Sequence, residues 1–166
     1  MVEIDKQSET KIKHDGIFDF KEVYRYLYTL LVDEQYDLEE RVYTEKATQK
    51  GKEIEIAWIA KRKISDYFRF QIKVNWLILG MTDVEVTKDG QKLKMNKGSL
   101  ELKFSCYLEK DYEHRWEGSA FFKFLRGLYD NYIVRSRISE YELKVMAEMD
   151  DIIEQIKAFL VFESKK

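Results

Sequence analysis

The chain has 166 residues, 45% of them hydrophobic and 14% aromatic, and its 29 Lys and Arg against 31 Asp and Glu leave a formal net charge of −2. Such a composition argues against disorder, and a balance so close to neutral gives no global attraction to nucleic acid or anionic lipid, so either role needs a local patch. No window approaches the ~18 consecutive apolar residues of a membrane span, and the single cysteine, Cys106, excludes an internal disulfide and fits a reducing, cytoplasmic setting.

Proline is absent, and no Gly/Ser-rich stretch separates two halves, so residues 1–166 read as one domain with flexible tails at 1–9 and 163–166. The polar N-terminus lacks the apolar core of a signal peptide. Residues Thr10–His14 fit a short edge strand. Asp19 is placed to cap a helix over 20–33, and Glu22 three residues later completes a capping-box pattern. Within that helix Val23, Tyr24, Leu27, Tyr28, Leu30 and Leu31 recur at helical spacing, which predicts one buried side.

At Tyr36 the period changes to two. Residues 37–46 read as a charge-rich strand. The run KEIEIAWIAKRKI then puts Ile54, Ile56, Trp58 and Ala60 on one face, and DYFRFQIKVNWLIL does the same with Phe68, Phe70, Ile72, Val74, Trp76 and Ile78. That even stripe is expected to continue through Val84 and Val86, with Gly80 marking a bulge or bend. Lys88-Asp89-Gly90-Gln91 carries the signature of a two-residue type I′ hairpin, setting Val86 opposite Leu93 and Val84 opposite Met95. A second tight turn at Lys97-Gly98 would set Met95 opposite Leu100 and Leu93 opposite Leu102, and the stripe runs on through Phe104, Cys106 and Leu108.

Helical spacing returns after Asp111. Phe121, Phe124, Leu125, Leu128, Tyr129, Tyr132 and Ile133 share an arc over residues 119–137, with Ser119 a candidate cap. Tyr141, Val145, Met149, Ile152, Ile156, Phe159 and Leu160 form the stripe of a second helix, and the boundary is expected near Ser136–Ser139. The predicted class is α+β: an antiparallel meander sheet of about five or six strands, with one N-terminal and two C-terminal helices packed on one face.

Such packing leaves the other face of the sheet wet, and that face is the leading candidate site. A three-residue loop Ile64-Ser65-Asp66 would set Lys61 opposite Arg69 and Lys63 opposite Tyr67, with Lys73 and Asn75 extending the row and Lys103 and Tyr107 flanking it. Basic residues interleaved with aromatics on an open sheet suit an acidic partner, protein or single-stranded nucleic acid. The competing explanation is that Glu53, Glu55, Glu101 or the acidic residues Glu39, Glu40 and Glu45 neutralise the row; nucleic acid is therefore not favoured. Next to it, Ile59, Leu77, Leu79 and Met81 suggest an apolar patch covered by the N-terminal helix, a partner chain or a bilayer surface. The predicted helix over 119–137 has Lys123, Arg126 and Arg137 on its polar side with Asp130 among them. Basic amphipathic helices lie on membranes, but so interrupted a stripe is ordinary for a domain surface, and protein–protein contact, with a partner or a second copy, is favoured. The alternative function is a carrier of a hydrophobic small molecule or lipid, in a cavity between sheet and helices lined by Trp58, Phe68, Phe70, Trp76, Phe104 and Phe121. Helix-grip lipid-binding folds work that way, although the element order here matches them poorly.

Catalytic constellations are scarce, so an enzyme is the weaker class. His14 and His114 are the only histidines, and Asp111 and Glu113 beside His114 do not make a metal site, since sequence neighbours rarely converge on one ion. Asp150, Asp151 and Glu154 share a helix side but read as a solvated charge run. Cys106 reads as a core residue. No Gly-rich phosphate loop or GxSxG is present, and no cofactor or metal is expected.

The phrases GIFDFKEVYRYLY, RKISDYFRF, LGMTDVEV and FLRGLYDNYIVRSRI resemble small uncharacterised proteins of archaeal type over most of the chain. The resemblance implies a single intracellular domain and no particular activity or ligand.

Overall fold

The computed structural model describes residues 3–110, 120–128 and 135–164. The elements run β1 (Glu3–Phe18), α1 (Phe20–Asp33), β2 (Asp37–Thr48), β3 (Gly51–Lys63), β4 (Phe68–Lys88), β5 (Gln91–Lys110), α2 (Ala120–Leu128) and α3 (Arg135–Ser164). The strands form one antiparallel sheet in the order β1-β5-β4-β3-β2, an α+β architecture.

Alternation of side chains fixes the centre of this sheet. Phe70, Ile72, Val74 and Ile78 are fully buried on one face of β4, and Ile54, Ile56, Trp58, Ala60, Leu100, Leu102, Phe104 and Leu108 join them from β3 and β5. Two helices cover that face. Asp19 caps α1, its carboxylate accepting from the Glu22 backbone N–H at 3.4 Å. The Glu22 carboxylate does not close the capping box; it pairs with Arg25 at 3.0 Å. Helix α1 buries Val23, Leu27 and Leu31, and α3 buries Val145, Met149, Ile152, Ile153, Ile156 and Leu160. The helices meet where Tyr26 stacks on Phe159 at 4.3 Å.

Helix α3 is continuous through Ser136–Ser139, where the sequence suggests a break. Serine costs a helix only a few tenths of a kcal/mol, and the apolar stripe that follows from Val145 to Leu160 outweighs that. A polar tie also holds α3 down. Glu148 on α3 pairs with Arg62 of β3 and accepts from the Tyr36 hydroxyl at 2.7 Å, and Arg62 donates to the Glu34 carbonyl at 2.9 Å.

Four expectations change. The N-terminus is not loose: β1 begins at Glu3 and pairs along β5. Its polar sequence gives a weak strand signal, but β5 presents an otherwise unpaired row of backbone donors and acceptors that selects it. The β3–β4 connection takes residues 64–67, so Lys63 faces Arg69 and Lys61 faces Gln71. Ser65 holds this wider loop, with its hydroxyl accepting from the Phe68 N–H at 3.0 Å and the Tyr67 N–H at 3.2 Å.

The third change lies at the far end. The Asp89-Gly90 hairpin forms with positive φ at both residues and sets Val86 against Leu93 and Val84 against Met95. No second turn occurs at Lys97-Gly98, because β5 runs on and pairs Leu100 with Ile78 and Leu102 with Trp76. Gly98 serves a close approach instead: a Cβ there would lie 3.0 Å from the Leu79 carbonyl oxygen and 3.1 Å from the Met81 Cα. The expected bulge at Gly80 is present, with φ +64 and a register shift between Leu79 and Thr82. An extra residue reverses side-chain parity. Met81 therefore turns inward and joins the core cluster, whereas Val84 and Val86 leave the even stripe and share the opposite face with Met95 and Leu93; Met95 is buried there but lies outside that cluster.

The fourth change concerns α2. Of its predicted buried arc, Phe121 and Phe124 are 65% and 62% exposed, Leu128 is exposed too and Leu125 is half-buried. Ser119, Tyr129, Tyr132 and Ile133 fall outside the described residues.

Candidate functional site

On the outer face the register puts Lys63 and Arg69 in one row and Lys61 and Gln71 in the next. Glu109 of β5, directly opposite Arg69, pairs with it and with Lys61 at 3.8 Å. This carboxylate is a compensating charge for Arg69 and Lys61, and the sequence reading passes over it because it ends the strand signal at Leu108. Lys73 lies over the Tyr107 ring at 5.0 Å. Neighbouring cations are also matched, Lys103 to Glu9 at 2.7 Å and Lys11 to Glu101 at 3.2 Å. Tyr67 sits in the connection, not on the strand, and is buried with its ring edge-on to Phe68 at 4.9 Å. Gln71, Ser105 and Glu109 are buried too, so the face is not an open sheet here. Of the apolar patch next to it, Leu79 is exposed and Met81 belongs to the core.

Of the residues assigned to a cavity, Phe70 and Phe104 are fully buried in the core cluster, and Phe121 on α2 is 65% exposed. Trp58 and Trp76 pack edge to face at 5.1 Å under α1, where Tyr24 meets them at 5.0 and 5.8 Å. The Tyr24 hydroxyl and the Trp58 Nε1 both donate to Glu40, at 2.8 and 3.1 Å. Burial and then that hydrogen bond push the Tyr24 phenol up to about 12.

Beside this aromatic floor the surface opens. A cleft of about 590 Å³ lies between the N-terminal end of α1 and the bent far half of the sheet, with Tyr43, Glu45, Lys52, Met81, Asp83, Lys94 and Asn96 on the sheet side. Two bulges create it. The shift at Arg41 turns Tyr43 and Glu45 toward α1, as the Gly80 bulge does for Met81 and Asp83. A second hollow of about 430 Å³, lined by Phe20, Lys21, Tyr24, Arg25, Tyr28 and Tyr43, shares four of those residues with the first. The result is one groove, polar at one end and aromatic at the other.

Charges at the polar end are mostly matched. Lys52 pairs with Glu45 at 3.1 Å, Lys94 with Asp83 at 3.5 Å and Arg25 with Glu22 at 3.0 Å. The α1 N-terminus is occupied as well, since the Phe20 N–H donates to Asn96 Oδ1 at 3.0 Å and the Glu22 N–H to Asp19. Burial, then Glu45 and Glu40, raise the Tyr43 phenol. Lys21 stands where the two hollows join. Apart from the aromatic Tyr43 in a strand of charges, nothing in the sequence marks these residues, because two parity reversals are needed to bring them together.

The other candidates stay apart. His14 is held by the Ile17 carbonyl at 3.2 Å and the Phe18 ring, and His114, Asp111 and Glu113 lie outside the described residues. Asp150, Asp151 and Glu154 are exposed. Cys106 is fully buried, and burial pushes its thiol up to about 11. Among the described residues no cluster of His, Cys, Asp and Glu is arranged to hold a metal, and no helix is long and apolar enough to cross a membrane. No protein-family model, curated protein or solved structure matches the chain.

Proposed function

We propose that this domain is a non-enzymatic binding module whose groove beside α1 takes a small amphiphile: a flat apolar body with one acidic group. The observation that carries this reading is the continuity of the two hollows around Lys21 and Arg25. Tyr24, Tyr28, Tyr43 and Phe20 supply ring faces for the body. Lys21 and Arg25 supply charge for the acid, and a charge-assisted contact at the mouth of an apolar hollow orients a ligand strongly. The first hollow is within the ~300–1,000 Å³ typical of small-molecule sites.

The test is a fluorescence titration with anilinonaphthalene sulfonate, an aromatic sulfonate. Saturable binding is expected, weakened about tenfold by Tyr43→Ala and by Lys21→Gln, since each removes a contact worth about one decade. Equal binding by wild type and both variants would sink the proposal.

The Lys73–Tyr107 stack supports a second reading, in which Lys61, Lys63, Tyr67, Arg69 and Lys73 meet an acidic protein or single-stranded nucleic acid. Glu109 works against it. Titration with single-stranded RNA or an acidic peptide that leaves the resonances of all five unmoved would end this version.

A further inference from the structure

Glu40 stands in β2 immediately before the bulge at Arg41 and directly opposite Trp58 of β3. One oxygen of its carboxylate accepts twice, from the Tyr24 hydroxyl of α1 at 2.8 Å and from the Trp58 Nε1 at 3.1 Å. The second contact satisfies an indole N–H that is cut off from water, since Trp58 is fully buried. The first sets the chemistry of the groove. A phenol has one proton to give and lone pairs with which to receive. With that proton committed to a carboxylate, the Tyr24 oxygen offers a ligand acceptor capacity alone. Burial and then Glu40 push the phenol up to about 12, so the proton stays in place at neutral pH. Tyr24 lines only the aromatic hollow, one helical turn beyond Lys21, which lines both.

We infer that the groove selects aromatic acids carrying a hydrogen-bond donor, a ring N–H or hydroxyl, and that Glu40 is the positioning residue behind this choice. The selection rests on the groove taking an amphiphile at all, and it narrows that class. The acid sits at Lys21 and the donor meets the Tyr24 oxygen. An acid of the same shape without a donor fills the same hollow but leaves that oxygen without its water or any replacement. One neutral hydrogen bond is worth about twofold to tenfold in affinity. The charge on Glu40 adds to the preference, because a hydroxyl that donates to an anion becomes a stronger acceptor.

The test compares two acids of similar shape, indoleacetate and naphthaleneacetate, as competitors of anilinonaphthalene sulfonate on the full chain. Wild type should bind indoleacetate about fivefold more tightly, against the trend of hydrophobicity, which favours naphthalene. Tyr24→Phe keeps the ring and removes the oxygen. The ratio should then fall to about one through weaker binding of indoleacetate alone, whereas a role confined to holding the fold would weaken both acids alike. Glu40→Gln keeps an acceptor for both donors and should retain most of the preference. Glu40→Ala should lose most of it and, with no ligand present, should lower the Tyr24 phenol in a spectrophotometric titration. Equal affinity for the two acids, displacement by neither, or a ratio unmoved in Tyr24→Phe would overturn the inference and leave the groove standing on its saturable dye binding. Absence of dye binding by wild type would remove the groove and the inference together.

Discussion

Strands β4 and β5 pass through two environments divided at Gly80. On the near side, Phe68–Ile78 and Leu100–Leu108 alternate without interruption, and α1 and α3 cover the inward residues completely. On the far side, Val84, Val86 and Leu93 pair as regularly, yet parity is reversed and each is only half-buried. The same kinds of residue in the same kind of ladder therefore differ in worth. Alternation builds a strand, but what lies over it decides how much apolar area leaves water. The groove lies on the α1 side of this second region, against Met81, Asp83, Lys94 and Asn96.

Three experiments sharpen the contrast. The largest effect is expected from Phe70→Ala or Phe104→Ala, which should cost about 3–5 kcal/mol of unfolding free energy by urea denaturation. Leu93→Ala should cost about 1 kcal/mol, scaled to partial burial; comparable losses would break the distinction. The junction comes next. A Cβ on Gly51, at φ +124, would lie 2.7 Å from the Gly80 carbonyl carbon and 2.8 Å from the Met81 carbonyl oxygen. Gly51→Ala should therefore cost about 2–3 kcal/mol through strain and displaced backbone. Gly90→Ala, at φ +77 with open space around the Cβ, should cost about 1 kcal/mol.

The smallest effect is electrostatic. The Tyr24 phenol is pushed up to about 12 by burial and Glu40, and Tyr36 is raised as well by burial and Glu148. An unfolded tyrosine loses its proton near ~10. Below that pH both states hold the proton and the stabilisation is complete. Between about 10 and 12 the unfolded chain releases its protons first, so stability falls as pH rises. Urea midpoints across this window should decline, and less steeply in Tyr24→Phe; an unchanged slope would contradict the burial of that hydroxyl.

Features set by local chemistry are legible in the sequence. The even stripe from Phe68, the Asp89-Gly90 turn and the Asp19 cap all hold, because a two-residue period, tolerance of positive φ and a short side-chain acceptor act over a few residues. Glu109 is less legible: its odd position marks the outer face, but only the strand register brings it between Lys61 and Arg69. In α2 the periodicity is correct and the inference of burial is not, since amphipathicity tells which side is apolar and not whether anything covers it.

The sequence by itself determined an α+β chain with an antiparallel sheet, because side-chain period and turn chemistry are written residue by residue. Tertiary structure decided the rest: the pairing of a polar β1 with the free edge of β5, the four-residue turn at 64–67, the parity reversal at Gly80 and the groove beside α1. These depend on which backbones meet across the fold, and on an extra residue whose effect appears only against a partner strand.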